Sequence, residues 1–246
     1  GELQEGDMLF DERGAPCVVQ YLSPIYTDHE CYRITFSDGE KVVADAGHRW
    51  FVESRYSFEY LLGQRGSGLI GRPAPGQTAT KSGVLSTEQI AQIVATQRHY
   101  NVLRVPNTQP IACATKDLPI PPYMLGLWLG DGHLVTPRIT QHRDDIETAE
   151  YIRREGVNAQ VRYIDKRHPN NATIFLDVPE GGKISPWAAK FRAVGLLKQK
   201  HIPAIYFRAS ISQRLELLRG LMDSDGTICA KGRAEFNNTN RLLAEG

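Results

Sequence analysis

The apolar and polar positions along the chain divide it into two kinds of pattern. Over residues 1–53 the apolar positions come in short alternating runs. In "DMLFDERGAPCVVQYL" the chain reads strand, turn, strand, with Glu12-Arg13-Gly14 as the turn. Tyr32, Ile34 and Phe36 alternate, Ser37-Asp38-Gly39 turns the chain, and Val42 and Val43 resume the pattern. This predicts a β-rich module rather than a βαβ unit. Residues 54–83 then lose all periodicity. They are rich in glycine, proline and threonine and carry Arg65, Arg72 and Lys81. They read as an inserted loop, either a solvated linker or a basic loop touching a polyanion. A helix follows: Ser86 with Gln89 three positions on fits a capping box, and Ile90, Ile93 and Val94 form its apolar face.

From residue 121 the period lengthens. Pro121 and Pro122 place a helix start close to Tyr123. "LVTPRITQHRDD" reads as a strand and "DDIETAEYIRREG" as a helix closed by Gly156. "AQVRYIDKR" and "ATIFLDV" read as two strands joined by the turn His168-Pro169-Asn170-Asn171, and "SPWAAKFRAVGLL" as a helix. The predicted fold is α+β, and its order of elements restarts near residue 217.

The restart is visible in the residues themselves. "MLGLWLGDGH" and "LLRGLMDSDGT" share Gly-Leu, a three-residue gap and Asp-Gly. The shared residues recur 94 positions apart (126 and 220, 131 and 225). Four fixed identities are a roughly one-in-a-hundred coincidence at average residue frequencies. Both copies also end an apolar helical run, which marks an internal repeat. Gly126 and Gly130 lie on one helix face, and Gly220 and Ser224 repeat that small-xxx-small spacing. A stripe of small residues lets two helix backbones approach closely. Interior glycine costs a helix about 1 kcal/mol relative to alanine, so compensating packing is expected. Leu125, Leu129, Leu218 and Met222 are expected to be buried on the remaining sides.

Asp131 and Asp225 fall at the C-terminal ends of the two helices, where the macrodipole is already negative. Two such ends side by side bring carboxylates together at an electrostatic cost that a divalent cation removes. Mg²⁺ (or Mn²⁺) takes oxygen ligands of this kind, and paired acids holding metal ions are the basis of metal-assisted phosphodiester hydrolysis.

Composition adds boundaries. The 246 residues fit one large domain or two ordinary ones, and the net charge of +1 requires any nucleic-acid face to come from local clustering. Cys17, Cys31, Cys113 and Cys229 form no CxxC pair, which argues against zinc and for reduced thiols in a cytoplasmic protein. No apolar run reaches the roughly 18 residues of a membrane span.

These residues carry a family resemblance. The two glycine-aspartate stretches resemble the paired LAGLIDADG motifs of homing endonucleases, with Asp131 and Asp225 at the metal-binding acid. "KQKHIP" (residues 198–203) resembles the lysine-containing motif that precedes the second such helix in intein endonucleases. By that likeness Lys200 is the accessory catalytic lysine; read alone, it is a surface lysine before a turn. "GELQEGDMLFDERGAPCVV", "CYRITFSDGEKVVADAGHRWFV" and "STEQIAQIV" resemble the Hint splicing module of bacterial and phage inteins, particularly those of replicative helicases and terminases. His48 falls where that family keeps the histidine that activates the scissile amide, and Asp45 stands where its motif has threonine.

The resemblance implies a partial Hint-like module over 1–110, with the basic loop inserted at about 54–83, followed by an endonuclease domain over 111–246 whose second half is expected to be incomplete, stopping about 20 residues after Asp225. It implies a cytoplasmic, bacterial or phage-encoded monomer whose partners are the flanking exteins of a host protein and double-stranded DNA at a long asymmetric site. It places the splicing nucleophile before Gly1 and a terminal His-Asn beyond Gly246. The stretch is therefore expected to be cut at both ends and not to splice as it stands. Twisted strands would enter the major groove, with Arg138, Gln141, Arg143, Arg162, Lys166 and Arg167 as candidate contacts, since arginine suits guanine and glutamine suits adenine. Two alternatives stay open: an intein whose endonuclease has decayed, and a DNA-binding protein on the same scaffold that does not cut.

Overall fold

The computed structural model describes residues 2–63, 80–96, 102–163, 168–178, 185–230 and 232–244. Arg65, Arg72, Lys166 and Arg167 lie outside these. The fold is mixed α+β, and the chain divides into two units, Gly1–Gln109 and Pro110–Gly246.

The first unit is built from hairpins. β1 (Met8–Phe10) pairs antiparallel with β2 (Pro16–Val18). The turn at 12–14 forms because one Asp11 carboxylate oxygen accepts from the amides of Arg13 (2.9 Å) and Ala15 (2.8 Å). β3 (Cys31–Thr35) pairs with β4 (Lys41–Asp45) across the expected Ser37–Gly39 turn, where Gly39 takes φ +94°. β5 (Arg49–Ser54) pairs with β6 (Lys81–Ser86). Between them lies α1 (Phe58–Leu61), a helical turn inside the stretch read as a loop. It forms because Phe58, Leu61 and Leu62 have a core to join: Val52, Leu61, Leu85 and Ile93. α2 (Thr87–Thr96) starts at the reciprocal Ser86–Gln89 pair, with bonds of 2.9 and 3.2 Å. Its buried face is Ile93 with Ile90 beside it, whereas Val94 stays exposed.

In the second unit α3 (Pro122–Asp131) is followed by β7 (Ile139–His142), α4 (Glu147–Arg154), β8 (Ala159–Arg162), β9 (Asn171–Leu176) and α5 (Trp187–Ala193). α6 (Ala204–Phe207), α7 (Ile211–Asp225), β10 (Gly226–Ile228), β11 (Ala234–Phe236) and α8 (Arg241–Ala244) complete the order. β9 is the central strand of an antiparallel β7–β9–β8 sheet. The strand expected from Leu134 begins only at Ile139. The His133 amide donates to the Arg138 carbonyl (2.8 Å) and closes a tight turn that leaves Leu134 and Val135 exposed.

α3 is buried on every side from Tyr123 to Leu129. The Trp128 ring meets Phe191 of α5 edge-on at 4.7 Å. Its N-terminus lacks a side-chain cap of its own. Glu155, just past α4, supplies one: each of its carboxylate oxygens accepts a 2.8 Å bond, from the amides of Tyr123 and Met124. This places an anion against the positive end of the helix dipole. α7 starts with its own capping box, Ser210 and Gln213. Leu125 and Leu129 are fully buried as expected, but Leu218 is 50% exposed and Met222 half-buried. α7 buries only Leu217, Gly220 and Leu221, the residues along its contact with α3.

Candidate functional site

α3 and α7 touch backbone to backbone. A Cβ built on Gly126 would overlap the Leu217 carbonyl oxygen and lie 2.8 Å from the Leu221 amide nitrogen. A Cβ on Gly220 would overlap the Tyr123 carbonyl oxygen and lie 2.6 Å from the Leu127 nitrogen. Residues 123 and 127 are the 94-residue counterparts of 217 and 221. The contact is therefore reciprocal, as a two-fold axis requires. One step further along, a Cβ on Gly130 would strike the Ser224 side chain and lie 3.0 Å from an Asp225 carboxylate oxygen. The Ser224 hydroxyl is tied back to its own helix, donating to the Leu221 carbonyl at 2.9 Å. All four small positions, Gly126, Gly130, Gly220 and Ser224, thus lie on the shared face, and the helices run parallel with their C-terminal ends together.

Both helices end the same way. Asp131 and Asp225 are the last helical residues, and the next residue is an extended glycine: Gly132 at φ −76°, ψ 151° and Gly226 at φ −86°, ψ 156°. These dihedrals are open to any residue. Glycine is required because a Cβ on Gly132 would enter the Trp128 carbonyl and ring, and one on Gly226 would lie 2.7 Å from Met222 Cα. The chain then turns straight into a β-pairing: Gly132 bridges Ile139, and Gly226 pairs with Phe236.

Asp131 feels the acid of the second motif. Burial, then the charge of Asp225, then that of Asp145, push the Asp131 carboxyl up from 3.8 to about 6, with Lys200 partly offsetting them. Lys200 donates from Nζ to the Gly130 carbonyl at 2.7 Å and lies 5.4 Å from the Trp128 ring centroid. Burial lowers its pKa, and Asp131 and Asp225 oppose that shift. Lys200 is thus a half-buried ammonium at the end of α3 beside two acids, unlike a surface lysine. Among the described residues no group of three or more His, Cys, Asp and Glu side chains is arranged to hold a metal ion. The donor set is two carboxylates, whose mutual repulsion a hard, oxygen-preferring divalent ion would relieve. The residues present fit Mg²⁺ or Mn²⁺ and do not form a nitrogen- or sulfur-rich zinc site.

The sheet sorts the candidate DNA contacts by parity. Ile139, Gln141, Ala159, Ala172, Ile174 and Leu176 face the core. Gln141 is only 6% exposed; its amide donates to the Asp145 carbonyl (2.8 Å) and accepts from the Thr148 hydroxyl. This removes it as a base reader: its side chain points into the core and satisfies the turn that follows β7. Thr140, Gln160, Arg162, Thr173 and Phe175 share the other face. There the Arg162 and Arg138 guanidiniums lie 4.4 and 4.7 Å from the Phe175 ring centroid. Arg162 also donates to Gln160 Oε1 at 2.6 Å. Arg143, past the end of β7, lies 5.6 Å from the exposed Tyr163 ring. His133, which no sequence motif marks, shares a 2.9 Å bond with Thr140, and burial, Arg138 and Lys200 lower its pKa. Phe175 was missed because it sits in the apolar run Ile174-Phe175-Leu176, where nothing in the sequence separates the core-facing side chains from the outer one. In the first unit, His48 is exposed at the start of β5, edge-on to Trp50 at 5.0 Å.

No family model matches the chain. It is similar to the replicative DNA helicase DnaB of Mycobacterium intracellulare, 31% identical over 249 residues that cover 99% of this chain and 38% of that protein. It is similar to the replicative DNA helicase DnaB of Mycobacterium leprae, 30% identical over 126 residues, 51% of this chain and 20% of that one. An iron-sulfur cluster assembly SufBD family protein of Mycobacterium leprae is 26% identical over 106 residues, 42% of this chain and 12% of that protein. The chain thus spans less than two fifths of the length of each of these relatives. No helix among the described residues is long and apolar enough to cross a membrane.

Proposed function

We propose that the chain is part of an intein, with a Hint-like splicing unit followed by a LAGLIDADG-type, metal-dependent DNA endonuclease. The observation that carries the nuclease reading is the reciprocal Gly126–Gly220 contact, which delivers Asp131 and Asp225 to one place. The relatives support the insert reading. A helicase and an iron-sulfur assembly protein have unlike tasks, and a stretch similar to part of each is better explained as a transferable insert than as either activity.

On this reading Asp131 and Asp225 would hold Mg²⁺ or Mn²⁺, which supplies charge neutralisation and an activated water at a scissile phosphate. Lys200, fixed through the Gly130 carbonyl, stabilises charge developing on the phosphate oxygens. Arg138, Arg162 and Arg143 meet the duplex, and His48 polarises the scissile amide in the separate acyl shift of splicing.

The test is a plasmid carrying a helicase-gene site without the insert. Mg²⁺ should give a linear product that EDTA abolishes, and Asp131→Asn or Asp225→Asn should bind without cutting. Retained binding without a double-strand break by the parent chain would refute the nuclease. In a full-length precursor, normal splicing of His48→Ala would remove the role given to that residue.

Phe175→Ala isolates the arginine platform. It is expected to weaken DNA binding about tenfold, the scale of desolvated cation–π contacts, without changing the slope of affinity against salt, because no charge is lost. Arg138→Ala should lower that slope by about 1. An affinity unchanged in Phe175→Ala would show that the ring orients neither arginine for binding.

A further inference from the structure

Asp225 differs from Asp131 in one respect: its carboxylate is held. β11 leaves its pairing with β10 one residue past Phe236, where the Asn237 amide still reaches the Asp225 carbonyl at 3.2 Å. The next side chain, Asn238, donates from Nδ2 to Asp225 Oδ2 at 2.6 Å. The orientation of that amide is determined, because Asn238 Oδ1 accepts the Asn240 backbone N–H at 2.7 Å, which leaves only the NH₂ end to face the acid. Asn240 repeats the device. Its Oδ1 accepts from the Leu242 amide at 3.1 Å, and its Nδ2 donates to the Lys200 carbonyl at 2.8 Å. Lys200 in turn reaches the Gly130 carbonyl. Two half-buried asparagines therefore link the acid of the second motif to the lysine of the first half, and through that lysine to the end of α3 beside Asp131.

From this geometry we propose that Asn238 and Asn240 are positioning residues of the two-acid site: they fix the Asp225 carboxylate and the Lys200 backbone relative to each other. The proposal rests on the metal-site reading above. The donor type suits the task. A neutral amide occupies one lone pair and fixes the rotamer but leaves the full carboxylate charge for a cation, whereas a lysine or arginine there would compete with the ion. Among the described residues no hydrogen bond reaches the Asp131 carboxylate, so the tie belongs to one acid only.

The test measures Mn²⁺ affinity of the chain without DNA, by calorimetry or by the free-ion Mn²⁺ spectrum. Asn238→Ala is expected to weaken Mn²⁺ about tenfold, the scale seen for residues that orient metal ligands. It should also raise the Mg²⁺ concentration for half-maximal cleavage by the same factor, with KM for DNA unchanged. Its metal-free melting temperature should move by less than about 3 °C, as for one half-exposed hydrogen bond. Asn238→Gln, which keeps the donor, should recover part of the loss. Should Asn238→Ala fail to fold, Asn240→Ala is read in the same way. Unchanged Mn²⁺ affinity in these variants, with Asp225→Asn abolishing binding, overturns the tie and leaves the metal site standing. No Mn²⁺ binding by the parent chain overturns both.

Discussion

Gly126→Ala is expected to destabilise the second unit by about 3 kcal/mol, at the upper end of overpacking costs. Elsewhere in a helix this substitution gains about 1 kcal/mol. Here the added methyl meets the backbone of α7 at the Leu217 carbonyl and the Leu221 nitrogen, with the Gly220 Cα 3.0 Å away. Backbone atoms have no rotamer into which to withdraw, so the helices must separate, and the packing of Leu217, Leu221 and Leu127 along the seam is lost with them. The reverse change, Gly220→Ala, meets the counterpart atoms of α3 and should cost about the same. The double variant should cost clearly less than the sum, because once the helices have parted the second methyl finds the space open. Urea unfolding followed by the fluorescence of Trp128, which packs in this core, would measure all three. A stable Gly126→Ala would mean that the helices are not in backbone contact.

The second large effect carries opposite signs for stability and for function. Asp131→Asn should abolish metal-dependent DNA cleavage while stabilising the metal-free chain at neutral pH. Burial and the nearby Asp225 raise the folded-state pKa of Asp131 from 3.8 to about 6. Between those values the native state binds more protons than the unfolded state, so its stability falls as pH rises through the window. Above about pH 6 the full penalty is present; below about pH 4 it is absent. Linkage puts it at about 3 kcal/mol, reduced to about 1 kcal/mol for a carboxylate still partly in solvent. The asparagine variant should therefore melt higher than the parent at pH 7.5 without metal and the same at pH 4. Mg²⁺ should raise the melting temperature of the parent alone. A variant less stable at pH 7.5 would show that Asp131 holds the fold together and is not a strained functional acid.

What could be read from the sequence was local. The Gly-Leu and Asp-Gly identities lie within ten residues of each other in each copy, and their meaning follows from helix geometry. The Ser86–Gln89 box and the turn closed by Gly39 are equally short-range. What could not be read was set by partners distant in the chain. Phe175 counts as core by composition, yet it lies on the outer face and is covered by Arg138 and Arg162, one from each neighbouring strand segment. Gln141 has the chemistry of an adenine reader, but Thr148 and the Asp145 carbonyl, four and more residues away, claim its amide. Nothing in "FNNTN" marks two of its asparagines as the link between Asp225 and Lys200. Leu218 follows the helical period that predicts burial, but periodicity cannot say whether the opposing surface is present.

The reciprocal glycine contact also has a mechanical side. In each helix the acid follows the contact glycine by five residues, 126 to 131 and 220 to 225, about 7.5 Å of helix rise. Both carboxylates are thus gauged from one datum, and that datum is main chain pressed on main chain, with no side chain between to act as a spring. A slip of one residue along the seam would offset them by about 1.5 Å and turn one of them through about 100°, so the seam admits a single register in which the two acids meet.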